Sequence, residues 1–149
     1  MDSSKTKALK IAVVVLRVIL GGLFAYAGYL KLAQPWQLFA ANIAEYQVVP
    51  MWAATFIART LPWFEILLGV MVIVGRWTRT STVMLSGILL VFFSLMVRAK
   101  LQGKEIDCGC FGPGEALTWK TLVRDGSMLA GALVVTWWGF IGRRRRSLA

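Results

Sequence analysis

The sequence predicts an all-α fold, a polytopic membrane protein built as a bundle of four transmembrane helices with an interfacial helix after the first span. Hydrophobic residues make up 58% of the chain and charged residues 16%, whereas soluble domains average about 45–50% and about 25%. The apolar residues form several long runs, and basic residues flank those runs. A soluble domain of 149 residues could not bury so much apolar surface. We therefore expect residues 1–149 to form a single membrane domain surrounded by lipid.

The first span is expected over about residues 9–32, a length sufficient to cross a hydrocarbon core about 30 Å thick. A basic segment precedes it, and Arg17 and Lys31 are the ionisable residues deeper in the run. A basic segment before an apolar run, together with the small residues at 25–28, also resembles a secretory signal peptide. Because Arg17 interrupts the apolar stretch, we expect a retained span rather than a cleaved one.

Three further spans are expected over about residues 61–75, 81–97 and 122–141. For the first of these three, a start within the stretch Met51 to Ile57 is the alternative. Arg76 and Arg79 lie in the short link between the second and third spans, which predicts a tight helical hairpin. The run Arg143 to Arg146 follows the fourth span and is typical of a stop-transfer signal.

The connector between the first and second spans predicts the interfacial helix. Phe39, Ile43 and Tyr46 recur at helical spacing, and the segment is too short and too mixed to cross a bilayer. The same pattern fits either an ordinary anchoring helix or a lid over a site.

The placement of basic residues predicts the orientation in the membrane. The two faces carry similar numbers of Lys and Arg, but on the face that holds both termini these residues are almost unaccompanied by acids. This pattern predicts that both termini lie in the cytoplasm. The loop over residues 100–120 is then extracytoplasmic.

Composition also excludes several classes of function. The chain contains no histidine, which rules out Ser-His-Asp and Cys-His catalysis, histidine-ligated haem and nearly all catalytic zinc sites. The net charge of +10 is not accompanied by an aromatic-basic strand or a recognition helix. We therefore expect neither a metal site nor nucleic-acid binding, and the charge is interpreted as a topology signal.

The two cysteines, Cys108 and Cys110, are the candidate catalytic residues. They lie in a glycine-rich loop, and glycine permits the positive φ that brings two such sulfurs close enough for a disulfide. A disulfide across one residue is strained, and strained, exposed disulfides are the labile ones. The alternatives are a structural disulfide, two inert thiols, or half of a metal site shared with a second subunit. Cys110 is favoured as the attacking thiol, because Asp107 should raise the pKa of Cys108.

Ionisable residues near the outer ends of the spans form a candidate supporting cluster. Its members are Lys31, Glu65, Arg98, Arg124 and Asp125. A carboxylate inside a span needs a partner, so Glu65 is expected to pair with Lys31 or Arg98. The alternative is that these side chains snorkel or form ion pairs only for stability.

The order of the motifs along the chain resembles a known family. The motifs are the first-span residues Arg17, Gly21, Gly28 and Lys31, then Tyr46 with Pro50, Glu65 with Gly69, the loop Cys108-x-Cys110-Phe111-Gly112, and Arg124-Asp125. In this order they resemble the MauE/DoxX group of small four-helix bacterial membrane proteins associated with redox systems. The resemblance implies extracytoplasmic thiol handling, as in methylamine dehydrogenase maturation, or a membrane subunit of a sulfur-compound or quinone-linked oxidoreductase. It also implies quinone as the cofactor and a multi-pass location in the inner membrane of a bacterial cell.

Together these observations predict a membrane thiol–disulfide redox protein. The Cys108/Cys110 pair would exchange electrons between an extracytoplasmic thioredoxin-like or thiol partner and the quinone pool. The rival hypothesis is a noncatalytic membrane anchor for a soluble redox enzyme, with structural cysteines. A small transporter is a weaker alternative, because the sequence lacks an inverted repeat.

Overall fold

The structure, a computed structural model, describes residues 3–75, 77–112 and 114–147, and within these the side chains from Ser4 to Ile141. This part of the chain is all-α and contains five helices, connected by short segments and one longer loop. The helices are α1 (Ser3–Ala33), α2 (Trp36–Glu45), α3 (Met51–Val74), α4 (Thr78–Leu101) and α5 (Trp119–Ser147). The expected all-α fold class is confirmed.

Three of these helices are long and apolar enough to cross a membrane, judged over the described residues: α1 from Ser4 onward, α3 and α4. Large hydrophobic side chains project outward along all three, as expected for surfaces that contact lipid. α5 is not among these three, and its sequence carries charged residues at both ends, Lys120, Arg124 and Asp125 near the start and Arg143 to Arg146 near the end. A multi-pass membrane protein is therefore supported, and the fourth span stays a prediction. Arg76 and the side chains of the arginine run at 143–146 lie outside the described residues.

Each of the four long helices begins before the span that hydropathy predicts. α3 has the earlier of the two starts that the sequence allowed, at Met51, where Pro50 occupies its N-cap, and Pro62 lies within the helix without ending it. α4 covers residues 78–101 instead of 81–97. The hydropathy signal detected the most apolar part of each helix, whereas the helical hydrogen bonds continue into the less apolar turns.

Close backbone packing fixes α1 against α3. A Cβ added at Gly21 would lie 2.6 Å from the carbonyl oxygen of Gly69, and one added at Gly28 would lie 2.7 Å from that of Pro62. Small residues at such crossings let two helices in a membrane approach closely. The antiparallel register that results brings Lys31, near the end of α1, beside Glu65 in the middle of α3.

α2 packs along the first half of α3. Its apolar face contributes Phe39, Ala40 and Ile43, which are buried against Ala54 and Ala58 of α3. This contact accounts for the extension of α3 beyond the bundle, because α2 covers the turns that precede Pro62. The predicted helix in the connector is present, and its position at a membrane interface stays a prediction.

Candidate functional site

The loop between α4 and α5 is closed by backbone hydrogen bonds. The amide of Cys108 donates to the Glu115 carbonyl and the amide of Leu117 donates to the Ile106 carbonyl, each at 2.9 Å. Gly109 adopts a φ of +66°, a conformation that L side chains rarely occupy. The loop thereby folds back on itself and places residue 115 directly across from residue 108.

Both cysteines are free thiols held at the end of the bundle. Cys108 is buried, with 2% of its surface exposed, in a cluster that includes Met96, Leu117 and Leu122. Cys110 is half-buried, and its Sγ lies 3.9 Å from Met96 Sδ and 3.6 Å from the Cys108 carbonyl oxygen. The two thiols are therefore fixed by packing and also lie close to each other.

A carboxylate and a guanidinium adjoin the Cys108 sulfur. The thiol of Cys108 donates to Glu115 Oε2 at 3.1 Å. Arg124 donates through both of its terminal nitrogens to Glu115 and through Nε to Asp125 Oδ1 at 2.8 Å. The guanidinium carbon of Arg124 also lies 4.5 Å from the centre of the Phe111 ring. Cys108, Glu115, Arg124 and Asp125 thus form one continuous hydrogen-bonded chain, here called the thiol chain.

The thiol pair has an asymmetric electrostatic environment. A hydrogen bond from Cys110 lowers the pKa of Cys108 below the ordinary thiol value, although burial and the Glu115 carboxylate oppose this effect. The same hydrogen bond, burial and the charge on Cys108 raise the pKa of Cys110. These directions favour Cys108 as the thiolate, in contrast to the expectation that Cys110 attacks. The expectation relied on Asp107, whose Oδ2 instead accepts a hydrogen bond from the Gly114 amide at 3.1 Å.

Hydrogen bonds to Glu115 keep its carboxylate ionised. Partial burial works in the opposite direction, but hydrogen bonds from Arg124 and from the Cys108 thiol hold the pKa of Glu115 below its ordinary value. Glu115 was not among the predicted site residues. Its position in the sequence does not indicate a contact with Cys108, because that contact depends on how the loop closes.

Lys31 and Glu65 form a buried ion pair inside the bundle. Lys31 Nζ lies 2.6 Å and 2.8 Å from the two carboxylate oxygens of Glu65, and both residues are about 95% buried, with exposures of 5% and 4%. Lys31 is one of the two partners that the sequence suggested for Glu65. Arg98, the other suggestion, is exposed near the end of α4, and this arrangement gives it no part in the pair.

A partly open cavity lies beneath the loop, between α1, α3, α4 and α5. Its polar lining consists of Lys31, Glu65, Asp125 and Cys110, and its empty volume is about 400 Å³ including the mouth. The remaining lining is apolar and includes Phe24, Phe92 and Phe111. The structure therefore gathers three members of the predicted charge cluster beside one of the two cysteines, and Arg124 joins them through Asp125.

Tyr46 adds a second buried polar group near the thiols. It packs in the same cluster as Cys108, and its hydroxyl has no hydrogen-bond partner among the described residues. Burial, followed by the nearby Cys110 and Cys108, raises its pKa. Tyr46 is therefore a neutral phenol that adjoins the thiol pair.

Comparison with known proteins is consistent with this architecture. The family model described as methylamine utilisation protein MauE matches residues 9–138. Over 123 aligned residues the chain is 29% identical to the methylamine utilization protein MauE of Paracoccus denitrificans. The aligned region covers 80% of this chain and 66% of that relative. The chain thus spans just under two thirds of the relative's length. No solved structure matches. The match covers most of the bundle and the whole cysteine loop, and the chain belongs to the MauE family.

Proposed function

We propose that this chain is a membrane thiol–disulfide redox protein that exchanges electrons between an extracytoplasmic thioredoxin-like or thiol partner and the quinone pool. The observation that carries the proposal is the pair of free thiols, Cys108 and Cys110, in which one sulfur is hydrogen-bonded to an ionised carboxylate. The name of the Paracoccus relative supports an accessory role in methylamine utilisation.

The chemistry of the pair follows from its hydrogen bonds. When the dithiol is oxidised, the two S–H bonds break, one S–S bond forms, and two electrons and two protons leave the pair. Glu115 Oε2 accepts a hydrogen bond from the Cys108 thiol at 3.1 Å, so it is placed to remove that proton and leave a thiolate. The thiolate is the reactive form of cysteine.

The partner completes the cycle by thiol exchange. A partner dithiol attacks the Cys108–Cys110 disulfide, a mixed disulfide forms, and the second partner thiol resolves it. The partner leaves as a disulfide, and both loop cysteines return to thiols. Two electrons thus enter the pair when the partner reduces its disulfide, and two leave it when the dithiol is oxidised again.

The aromatic lining of the cavity is the observation that supports a quinone as the acceptor. Quinone, when bound, supplies an acceptor for the two electrons and two protons. Three phenylalanines, Phe24, Phe92 and Phe111, line the cavity and offer surfaces for a flat ring. Cys110 opens on the same cavity, so one thiol of the pair faces the space where the ring would lie.

The burial of Cys108 favours one alternative. A thiol with only 2% of its surface exposed is hard for a partner protein to reach, which fits a noncatalytic membrane anchor with structural cysteines. The two functions differ in whether the pair changes redox state in the cell.

Thiol labelling in intact cells tests the proposal. Cells are treated with a membrane-impermeant maleimide before and after a mild reductant, and a variant with both cysteines replaced by serine serves as the control. We expect labelling to rise after reduction and to fall again when the reductant is removed. Labelling that requires a broken membrane would contradict the orientation, and a pair that never changes redox state would support the anchor.

A further inference from the structure

Three sulfur atoms come together where α4 packs against the cysteine loop. Cys110 Sγ lies 3.9 Å from Met96 Sδ, and a hydrogen bond joins the thiols of Cys108 and Cys110. Met96 and Cys108 are core members of one buried cluster, with exposures of 0% and 2%, and Cys110 packs against that cluster. The thioether of Met96 is therefore a third sulfur beside the dithiol, and thiol exchange makes no use of it.

The spacing of these sulfurs suits one metal ion. Three sulfurs that surround an ion, each bonded to it at about 2.3 Å, lie about 4 Å from one another. The 3.9 Å between Met96 Sδ and Cys110 Sγ is close to this separation, so an ion bound to both atoms requires little movement of either side chain. Gly109, with its φ of +66°, turns the loop so that both cysteines reach the cluster around Met96.

The types of ligand favour a soft ion. Thiolate and thioether sulfur are ligands that copper(I) prefers, whereas structural zinc is bound by four Cys or His ligands in a tetrahedron. The chain has two Cys and no His. Over the described residues, no group of three or more His, Cys, Asp or Glu side chains could hold a metal ion. The expectation of no metal site considered histidine and cysteine, and it did not count a methionine as a ligand.

The surroundings of the three sulfurs disfavour ions that need oxygen ligands. The cluster that holds Met96 and Cys108 is completed by apolar side chains, among them Leu117 and Leu122. Glu115 is the carboxylate that contacts Cys108, and both of its oxygens are already bound by Arg124. Cys110 is the half-buried member of the set, so it offers the route by which an ion enters.

We infer that Cys108, Cys110 and Met96 bind one copper(I) ion as a three-sulfur site. On binding, the two S–H bonds break, each thiolate forms a bond to copper, and Met96 Sδ donates a lone pair to form the third. Two protons leave the site, and Glu115, which accepts a hydrogen bond from the Cys108 thiol, is placed to take one of them. Copper remains in the +1 state, so no electron is transferred.

Copper binding and disulfide formation compete for the same two sulfurs. A thiolate bonded to copper cannot form the Cys108–Cys110 disulfide, so the copper-loaded chain is closed to thiol exchange. The inference does not rest on the proposed function, because it requires only reduced sulfurs, and both cysteines are free thiols. The same site would be present in a noncatalytic membrane anchor.

The test is an anaerobic competition titration with copper(I). The full chain is reduced, freed of reductant, placed in lipid nanodiscs and titrated with copper(I) in the presence of the coloured chelator bicinchoninate. The variant with both Cys108 and Cys110 replaced by serine is the blank for copper bound adventitiously to lipid or to the protein surface. X-ray absorption at the copper edge then counts the sulfur neighbours of the bound ion.

We expect one copper(I) per chain to be withheld from the chelator, with three sulfur neighbours. Met96→Leu conserves the volume of the side chain but removes the thioether. The affinity should fall about tenfold or more, since even outer-shell changes at metal sites cost roughly 10–100-fold, and the sulfur count should fall to two. Met84→Leu, at an exposed methionine of the same helix, should change neither value.

Binding no greater than in the double-serine blank, two sulfur neighbours in the parent chain, or equal affinities of the parent and Met96→Leu would overturn the inference. Zinc(II) that competes as strongly as copper(I) would overturn the assignment to a soft monovalent ion. If Met96→Leu does not fold, the sulfur count on the parent chain still decides the matter. Because the titration involves no thiol exchange, its failure leaves the proposed function standing, and failure of thiol exchange leaves the copper site standing.

Discussion

At the residue scale, the central feature is a thiol hydrogen-bonded to a carboxylate that is itself held by arginine. Cys108, Cys110, Arg124 and Asp125 could be proposed from residue type and position in the sequence alone. Glu115 could not, because its contact with Cys108 is created when residues 107 and 116 pair across the loop. The opposite shifts of the two thiol pKa values also could not be predicted from the sequence, because they depend on the hydrogen bond between Cys108 and Cys110.

Two substitutions in the thiol chain should move the reactivity of Cys108 in opposite directions. Glu115→Gln removes a carboxylate that raises the pKa of Cys108, so the midpoint of its pH–alkylation curve should fall. Arg124→Gln leaves the Glu115 charge without its main partner, so the midpoint should rise. The measurement is the rate of iodoacetamide labelling of the reduced protein against pH, with Cys108 resolved by peptide mass spectrometry.

The matched controls for these variants are Glu105→Gln and Arg98→Gln, which remove exposed charges near the same end of the bundle. Neither should shift the curve measurably, because exposed charges are screened by solvent and salt. Shifts of the same sign in Glu115→Gln and Arg124→Gln would show that the two side chains do not act on the thiol as an opposed pair.

At the element scale, α1 and α3 are joined by close glycine contacts and by the ion pair between Lys31 and Glu65. The sequence indicated that a carboxylate in a span needs a cationic partner, but the choice between Lys31 and Arg98 depends on the register of α1 against α3. That register follows from Gly21, Gly28 and Gly69, which permit one close antiparallel fit. The hydropathy profile carries no information on such a fit.

The ion pair should behave as a unit. Glu65→Gln leaves the Lys31 ammonium buried without its counter-charge, and removing one member of a buried pair typically costs roughly 3–5 kcal/mol. We expect a clear fall in the thermal midpoint in detergent, and little change for the exposed Glu45→Gln. The double variant Lys31→Met/Glu65→Leu should be less destabilised than the single variants Lys31→Met and Glu65→Leu. Additive losses in this cycle would mean that the two side chains do not interact.

The glycine contacts offer a second check at this scale. Gly28→Val places a Cβ 2.7 Å from the Pro62 carbonyl oxygen, so α1 must move away from α3 and the thermal midpoint should fall. Gly22→Val is the control on the same helix, since a Cβ there meets nothing within 4 Å among the described residues. Equal behaviour of the two variants would contradict the close crossing of α1 and α3.

At the scale of the whole molecule, composition predicted the fold class and most of the helices, because long apolar runs predict helices that can cross a membrane. It did not predict that α2 packs along α3, because this packing depends on contacts between helices, and it left the start of α3 open between residue 61 and the stretch from Met51 to Ile57. In α5, two of the charged residues that reduce its hydropathy, Arg124 and Asp125, belong to the thiol chain.

Trapping of a mixed disulfide is the measurement that tests the central claim most directly. Cys108→Ser and Cys110→Ser are each expressed in the native host, and whole cells are acid-quenched and analysed on nonreducing gels. Because thiol exchange is reversible, the one remaining loop thiolate can attack the disulfide of the oxidised partner, which breaks that bond and forms a mixed disulfide, and the second loop thiol that would resolve it is absent. At least one variant should then carry a reductant-sensitive adduct with a partner, and the double-serine variant should carry none. If neither single variant forms an adduct under conditions in which the parent protein cycles between dithiol and disulfide, thiol exchange with a protein partner is wrong.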